Sequence, residues 1–381
     1  MTTPSTHRRR LSPPASNLDS SSSSSSQNPA ATASSPYFLP ELISQIASRL
    51  TTLHDFFALH ATYQDLLPPS PSSLASQAPH LLLVPGSRAL FHLPLRRHLR
   101  FRLPLPLPDT DPTAPAAAFY SLGCRVAIAS PSHHDLSFVH LLTGEQFRLP
   151  HPPADFCRLL LSGDLVLAFL PTVGHVLQYC RLGDAEWRMA SCSESYVLED
   201  LIFVKGTLHA LVRSQDAGGL CYRLAVVKLS DTNSVEFTFL GGRLDTQAAH
   251  ESSYFCLAEC LDELLLVGAT GDTPEKFHVF RWQSGEGRWT RTASLGGCTM
   301  FLSYFHFANR MRYFGGFFFA SCLGPDHPGV RRDYLYLTDA KRKWFEYFLA
   351  DGSCDGYVAG NLEGAARSDF RSTVWIFPSM C

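Results

Sequence analysis

Few residues in this chain have the types and spacing that chemistry at a site requires. His133 and His134, followed by Asp135, offer nitrogen and oxygen atoms that bind metal ions. Adjacent residues of a strand point to opposite faces, so two neighbouring histidines do not easily share one ion. No Cys or other His stands at ligand spacing from the pair. We therefore predict a loop at this position and expect neither a metal nor a cofactor.

Motifs for nucleotide binding and nucleophilic catalysis are missing from the sequence. There is no Walker-type phosphate loop, and Gly285-Glu286-Gly287 lacks a strand before it and a helix after it, so it predicts a hairpin turn. There is no G-x-S-x-G motif, and Ser, His and Asp are too dispersed to nominate a triad. The Gly pairs at 241–242, 296–297 and 315–316 predict tight turns or close strand approach. We expect no catalytic residues and no enzyme activity.

Basic residues cluster once, between Arg96 and Arg102. Such a run can bind phosphate groups or act in nuclear import. The alternation of Arg100 and Arg102 with Leu99 and Phe101 instead favours an exposed edge strand, where charge discourages sheet-to-sheet pairing. With a formal net charge of -2 and no run of 18 apolar residues, we expect no nucleic acid and no membrane as partner.

The cysteines and the N-terminus bear on localisation. The 11 Cys are scattered without a C-x-x-C pair, and Cys256 and Cys260 are the closest two. This pattern predicts reduced, mostly buried cysteines in a nuclear or cytoplasmic protein. Residues 1–35 are Ser-rich and contain one acidic residue, which predicts a disordered tail. An organelle transit peptide has similar composition and is the alternative.

The segment after this tail has a helical period. Leu39, Leu42, Ile43, Ile46 and Leu50 share one face of an α-helix. Pro40 suits the first turn, and Glu41 complements the positive end of the helix. A second helix is predicted to start at a capping box, Thr52 to Asp55, and to end at Pro68. Two helices this short must pack on the next domain or on a partner.

From about residue 80 the pattern changes to short β-type runs with a repeated hairpin. In each repeat a strand and a polar turn lead to an aromatic residue, at positions 147, 187, 237, 289 and 344. Their spacing of 40 to 55 residues is near the blade period of β-propellers, and about 300 residues would hold six or seven blades. A pair of β-sandwiches is the alternative.

Leu39-Pro40-Glu41-Leu42-Ile43, with Ile46, Leu50 and Asp55, resembles the F-box, the helical motif that docks on the Skp-type adaptor of a cullin–RING ubiquitin ligase. The resemblance implies that Leu39, Pro40, Leu42, Ile43, Ile46 and Leu50 contact the adaptor. Family members usually carry a Cys and a Trp where this chain has Tyr63 and Leu66. A degenerate F-box that recruits no ligase is therefore the alternative.

Further motifs resemble a plant family in which an F-box precedes a KIB-type β-propeller. They include residues 141–150, 203–208, 259–267 and 277–302. The expected fold class is α+β overall: a disordered tail (1–35), a short all-α F-box-like segment (36–79) and an all-β propeller of six or seven blades (80–381). The implied function is substrate recognition for an SCF-type ubiquitin ligase, with a Skp-type adaptor, a cullin and an unidentified target protein as partners. A stoichiometric protein-binding propeller is the alternative function.

Overall fold

The short apolar runs after residue 80 form β-strands in the computed structural model, as their spacing predicts. The structure describes residues 40–49, 59, 63, 80–84, 89–93, 96–102, 118–123, 125–130, 135–140, 144–171, 175–216, 219–230, 233–244, 254–270, 276–309, 312–325, 327, 329–338, 343–358 and 372–377. Within these ranges the chain has 25 strands and one helix whose bounds can be given, α1 (Pro40–Arg49). The predicted disordered tail, residues 1–35, lies outside the described residues. The predicted domain boundaries adjoin residues that are not described, so they stay predictions.

Five sheets are four-stranded and fully antiparallel, the form of a propeller blade. The first contains β1 (His80–Val84), β2 (Ala89–His92), β3 (Arg97–Arg102) and the C-terminal β25 (Ser372–Ile376). The second contains β4 (Ala118–Leu122), β5 (Arg125–Ser130), β6 (Asp135–His140) and β7 (Gln146–Pro150). The third contains β8 (Arg158–Ser162), β9 (Leu165–Phe169), β10 (Val176–Arg181) and β11 (Arg188–Ser191). The fourth contains β12 (Tyr196–Val204), β13 (Thr207–Asp216), β14 (Gly219–Leu229) and β15 (Val235–Arg243). The fifth contains β16 (Tyr254–Cys260), β17 (Glu263–Thr270), β18 (Lys276–Gln283) and β19 (Arg288–Thr292).

The sixth sheet departs from this form. It has five strands in the order β21-β20-β22-β23-β24. Its strands are β20 (Thr299–Asn309), β21 (Arg312–Leu323), β22 (Tyr334–Thr338), β23 (Lys343–Phe348) and β24 (Cys354–Val358). The long hairpin of β20 and β21 places β22 beside β20 as a parallel neighbour, with Met300 opposite Leu335. This sheet therefore does not repeat the blade pattern.

The expected fold class is wrong. The described chain is nearly all β rather than α+β, and α1 alone does not make an all-α segment. Five regular blades are present where six or seven were expected. The hairpin repeat could not determine the blade count, because it marks one hairpin in a sheet and carries no information on how the other strands pair.

The repeat itself corresponds to the last hairpin of the second to fifth sheets and to the β22–β23 hairpin of the sixth. Phe138 pairs with Phe147 across β6 and β7, and their rings stack 4.5 Å apart. Trp282 pairs with Trp289 across β18 and β19, with ring centroids 5.0 Å apart. The turn at Gly285–Gly287 that separates these Trp residues is the predicted hairpin turn. Aromatic cross-strand pairs stabilise a hairpin, which explains their recurrence.

The core lies in layers between neighbouring sheets. Apolar side chains of the third and fourth sheets form one cluster, and those of the fourth and fifth sheets form the next. The strand β25 closes the series. The indole Nε1 of Trp375 donates to the carbonyl of Leu302 in β20 at 2.9 Å, and Ser121 in β4 donates its hydroxyl to the carbonyl of Trp375 at 2.6 Å. One strand thus connects the first, second and sixth sheets.

The cysteine prediction is correct in part. Among the described residues, six free cysteines are buried: Cys157, Cys180, Cys192, Cys221, Cys256 and Cys298. Cys260 and Cys322, however, form a disulfide, which the sequence pattern did not predict. The two residues are 62 positions apart in sequence, and they meet because β16 and β21 lie side by side. Such proximity follows from the packing of sheets and leaves no spacing signature.

Candidate functional site

Helix α1 lies where the helical period predicted it. Pro40 occupies its first position and Glu41 its first turn. Of the predicted adaptor contacts, Leu42 is 42% exposed and Ile46 is 36% exposed, while Ile43 is 1% exposed. Leu42 and Ile46 are one turn apart and therefore neighbours on the helix surface. The predicted adaptor contacts therefore do not all lie on one exposed face of α1. Ile43 is buried within the protein, while Leu42 and Ile46 form an exposed apolar pair.

The other predicted features of this segment are less fully described. Leu39 and Leu50 lie outside the described residues, as do Thr52 and Leu66. The backbone N–H of Tyr63 donates to the carbonyl of Leu59 at 3.0 Å, an α-helical hydrogen bond within the predicted second helix. The adaptor contacts assigned to Leu39 and Leu50 therefore stay predictions.

An open groove lies at the outer edge of the third sheet. It has a volume of about 540 Å³ and is lined by Tyr179, Trp187, Arg188, Met189 and Asn233. The strand β11 ends its sheet, and its alternation turns Met189 outward, 48% exposed, while Ala190 is buried. The groove is therefore formed by strand residues of this sheet edge together with Trp187 and Asn233 from adjacent turns.

The groove has firm walls. The indole Nε1 of Trp187 donates to the carbonyl of Pro150 in the second sheet at 2.6 Å. Ser191, at the end of β11, donates its backbone N–H to the carbonyl of Asn233 at 3.1 Å. These two bonds hold the groove between neighbouring sheets. Trp, Tyr, Met and Arg side chains are enriched at protein–protein interfaces, so this surface suits a protein partner. The sequence repeat marked Trp187, although only as a hairpin residue.

Charged side chains are buried where the first strands of several sheets meet. Asp200, at a bulge in β12, is fully buried, and its two oxygens accept backbone N–H bonds from Leu201 and Leu257, each at 2.8 Å. The Nε of Arg158 in β8 lies 3.5 Å from Asp200 Oδ1. The Nη1 of Arg158 donates to the carbonyl of Phe319 in β21 at 3.1 Å. This cluster connects β8, β12, β16 and β21.

The electrostatics of this cluster indicate a structural role. Burial raises the pKa of Asp200, while Arg158 and the two N–H groups oppose that rise. The neighbouring Glu199 forms an ion pair with Arg213, and its pKa is raised chiefly by burial. Burial and, secondarily, Glu199 raise the pKa of Tyr222 to about 12. Asp200, Glu199 and Arg158 each have a charged or backbone partner within the protein. The sequence signal for the cluster was Glu199-Asp200 inside an otherwise apolar strand.

Two further predicted sites have ordinary structural roles. Asp135 begins β6 and lies 3.5 Å from the guanidinium of Arg148, while His133 and His134 lie outside the described residues. Gly242 donates its N–H to the carbonyl of Gly287 at 2.8 Å, so this Gly pair permits close approach of two sheets, as expected. The strand β3, which contains Arg100 and Arg102, ends its sheet as predicted.

Comparison with known proteins agrees with this architecture. The sequence profile described as KIB1-4 beta-propeller matches residues 90–348, well over half of the chain. The chain belongs to this family. No curated protein matches it. The KIB1-4 beta-propeller is a protein-interaction domain, which agrees with the aromatic groove on its third sheet.

Solved structures with similar folds are distant in sequence. One is the nidogen/laminin complex, at 10% identity and a TM-score of 0.39, covering 80% of this chain and 100% of that chain. Another is Hsv2 of Kluyveromyces lactis, at 12% identity and a TM-score of 0.35, covering 78% of this chain and 77% of that chain. No helix among the described residues is long and apolar enough to cross a membrane.

Proposed function

We propose that this chain is the non-catalytic substrate-recognition subunit of an SCF-type cullin–RING ubiquitin ligase in the nucleus or cytoplasm. In this proposal α1 binds a Skp-type adaptor, which joins the chain to the cullin, and the propeller binds a target protein. The observation that carries the proposal is the exposed pair of Leu42 and Ile46 on one face of α1. An amphipathic helix of this kind binds by placing its apolar residues in a groove of the partner.

The target-binding part of the proposal rests on the groove of Tyr179, Trp187, Arg188 and Met189. A few aromatic, Met and Arg side chains carry most of the energy of a protein interface. The groove opens outward from a sheet edge, and its walls are fixed by hydrogen bonds before a partner arrives. A preformed surface loses less conformational entropy on binding, which favours affinity.

A double-dissociation experiment tests both halves. Leu42→Asp with Ile46→Asp should weaken binding to a purified Skp-type adaptor by at least about 30-fold, because a hot-spot loss of 2 kcal/mol or more is expected. Met189→Asp on the groove should leave adaptor binding unchanged and reduce recovery of cross-linked target proteins. Isothermal calorimetry and quantitative mass spectrometry provide the two measurements. Adaptor binding that is equal in wild type and in the α1 variant would disprove docking through α1, and failure of the wild-type chain to bind the adaptor would disprove the ligase role.

A stoichiometric binder that recruits no ligase is the second candidate. The burial of Ile43 favours it, since one predicted adaptor contact is used inside the protein. The lifetime of the bound target separates the two functions. The ligase role requires slower target turnover when the chain is removed, while a masking role leaves turnover unchanged or makes it faster.

A further inference from the structure

Three cysteine sulfurs meet at the boundary between the fifth and sixth sheets. The Sγ atoms of Cys260, Cys298 and Cys322 all lie within 4.8 Å of one another. Cys260 ends β16, Cys322 is near the end of β21, and Cys298 stands just before β20. They come from three separate segments, so only the folded chain brings them together. A zinc ion with sulfur ligands at about 2.3 Å holds neighbouring sulfurs about 3.8 Å apart. The bonded sulfurs of Cys260 and Cys322 must therefore separate on reduction, while Cys298 already lies close to both.

The loop that presents Cys298 is fixed by a single carboxylate. Asp333 Oδ1 accepts the backbone N–H of Leu295 at 2.6 Å and that of Gly297 at 3.2 Å, and also the hydroxyl of Ser294 at 2.8 Å. The backbone N–H of Asp333 in turn donates to the carbonyl of Cys298 at 2.8 Å. The third sulfur is therefore held in place by a bonded loop. Such support around a ligand is what positions metal ligands in proteins.

We propose that Cys260, Cys298 and Cys322 bind a zinc ion after the Cys260–Cys322 disulfide is reduced. A dithiol supplies the two electrons and two protons that convert the disulfide to two thiols, and is itself oxidised to a disulfide. The three thiols then lose their protons as the sulfurs bind the cation. Sulfurs in a disulfide are not thiolates, so the oxidised chain does not offer this site.

Charge and burial favour Zn²⁺ over the monovalent thiophilic cation Cu⁺. Cys260 and Cys298 are buried among apolar side chains, with Cys322 partly exposed. Burying net charge in apolar surroundings is costly. Three thiolates leave a net charge of about -1 with Zn²⁺ and about -2 with Cu⁺, so the divalent ion is favoured. The partly exposed position of Cys322 would let water reach the site and supply a fourth ligand.

Cobalt titration of the full chain tests this site. The chain is reduced anaerobically with a phosphine, freed of metal and titrated with Co²⁺. The expected result is a thiolate-to-cobalt absorption band that saturates at one ion per chain and disappears when Zn²⁺ is added. Chain in which Cys260–Cys322 is oxidised should show no band. This comparison uses wild-type protein alone and does not depend on any variant folding.

A matched pair of variants assigns the ligands. Cys298→Ser should weaken cobalt binding by at least about tenfold, since changes even outside the ligand set reach that size. Cys256→Ser removes an equally buried cysteine four residues before Cys260 and outside the triangle, and should bind cobalt as wild type does. No band in reduced, folded wild type, or an undiminished band in Cys298→Ser, would overturn the proposal. Both results are independent of the outcome of the adaptor-binding experiment.

Discussion

At the scale of single residues, the most consequential interaction is the buried pair of Arg158 and Asp200. Neither residue belongs to a sequence motif or to an alternating apolar–polar pattern that would reveal the pair. Arg158 begins a strand of leucines, and Asp200 interrupts an apolar strand. Sequence alone cannot pair them, because their contact depends on two sheets meeting at their first strands. A charged residue inside an apolar strand does indicate that a partner exists.

Replacement of Asp200 tests how much this pair stabilises the fold. Asp200→Ala leaves the buried guanidinium of Arg158 without its carboxylate and two backbone N–H groups without acceptors. The expected loss in free energy of unfolding is about 3–5 kcal/mol, measured by urea denaturation. Asp164→Ala is the control, since its pair with Arg181 is exposed to solvent and should contribute little to stability. Equal effects of the two variants would refute the structural role.

At the scale of elements, the sequence was a good guide to hairpins and a poor one to sheets. The aromatic repeat correctly marked one hairpin in each of five sheets, and in four of them it was the last hairpin, because adjacent strands and their turn are contiguous in sequence. It missed the parallel pairing of β20 with β22, which depends on a long intervening hairpin. For the candidate site, the sequence predicted α1 and marked Trp187 as a hairpin residue. It did not show that Ile43 is buried or that Trp187 lines a groove.

The close approach of two sheet edges gives an element-scale prediction. A Cβ at Gly241, whose φ is +70°, would lie 2.1 Å from the carbonyl oxygen of Gly287. Gly241→Ala must therefore strain its own backbone and push the β18–β19 turn away. We expect a loss of about 1–3 kcal/mol in the free energy of unfolding. Gly285→Ala, in the same turn with open space around it, is the control and should be nearly neutral. Thermal melts of the two variants and the wild type provide the measurement.

At the scale of the whole molecule, closure by β25 could not be read from the sequence. Its apolar run is short, and the strand it pairs with, β1, begins almost 300 residues earlier along the chain. The family resemblance stated from sequence motifs ended before Trp375. Yet Trp375 is fully buried, and its ring packs 5.1 Å from that of Phe301. The residue that joins three sheets was thus outside every sequence signal.

Truncation of Trp375 tests the closure. Trp375→Ala removes a buried ring and leaves the carbonyl of Leu302 without its indole donor, so we expect a loss of about 3–5 kcal/mol. Hydrogen exchange should accelerate in β4 and β20 together, since β25 contacts both. Trp282→Ala is the control, because Trp282 is partly exposed in a hairpin and its loss should accelerate exchange in the fifth sheet alone. Exchange that stays unchanged in β4 would contradict the closure.

The pairing of β1 with β25 also has a consequence for how the protein is made. On a ribosome, β1 to β3 emerge early, and their sheet cannot gain its fourth strand until residues 372–376 are synthesised. Through nearly all of translation, β1 therefore presents an unpaired edge, the kind of surface on which chains aggregate. We expect nascent chains stalled before residue 372 to bind chaperones that recognise exposed apolar strands and to release them soon after β25 emerges.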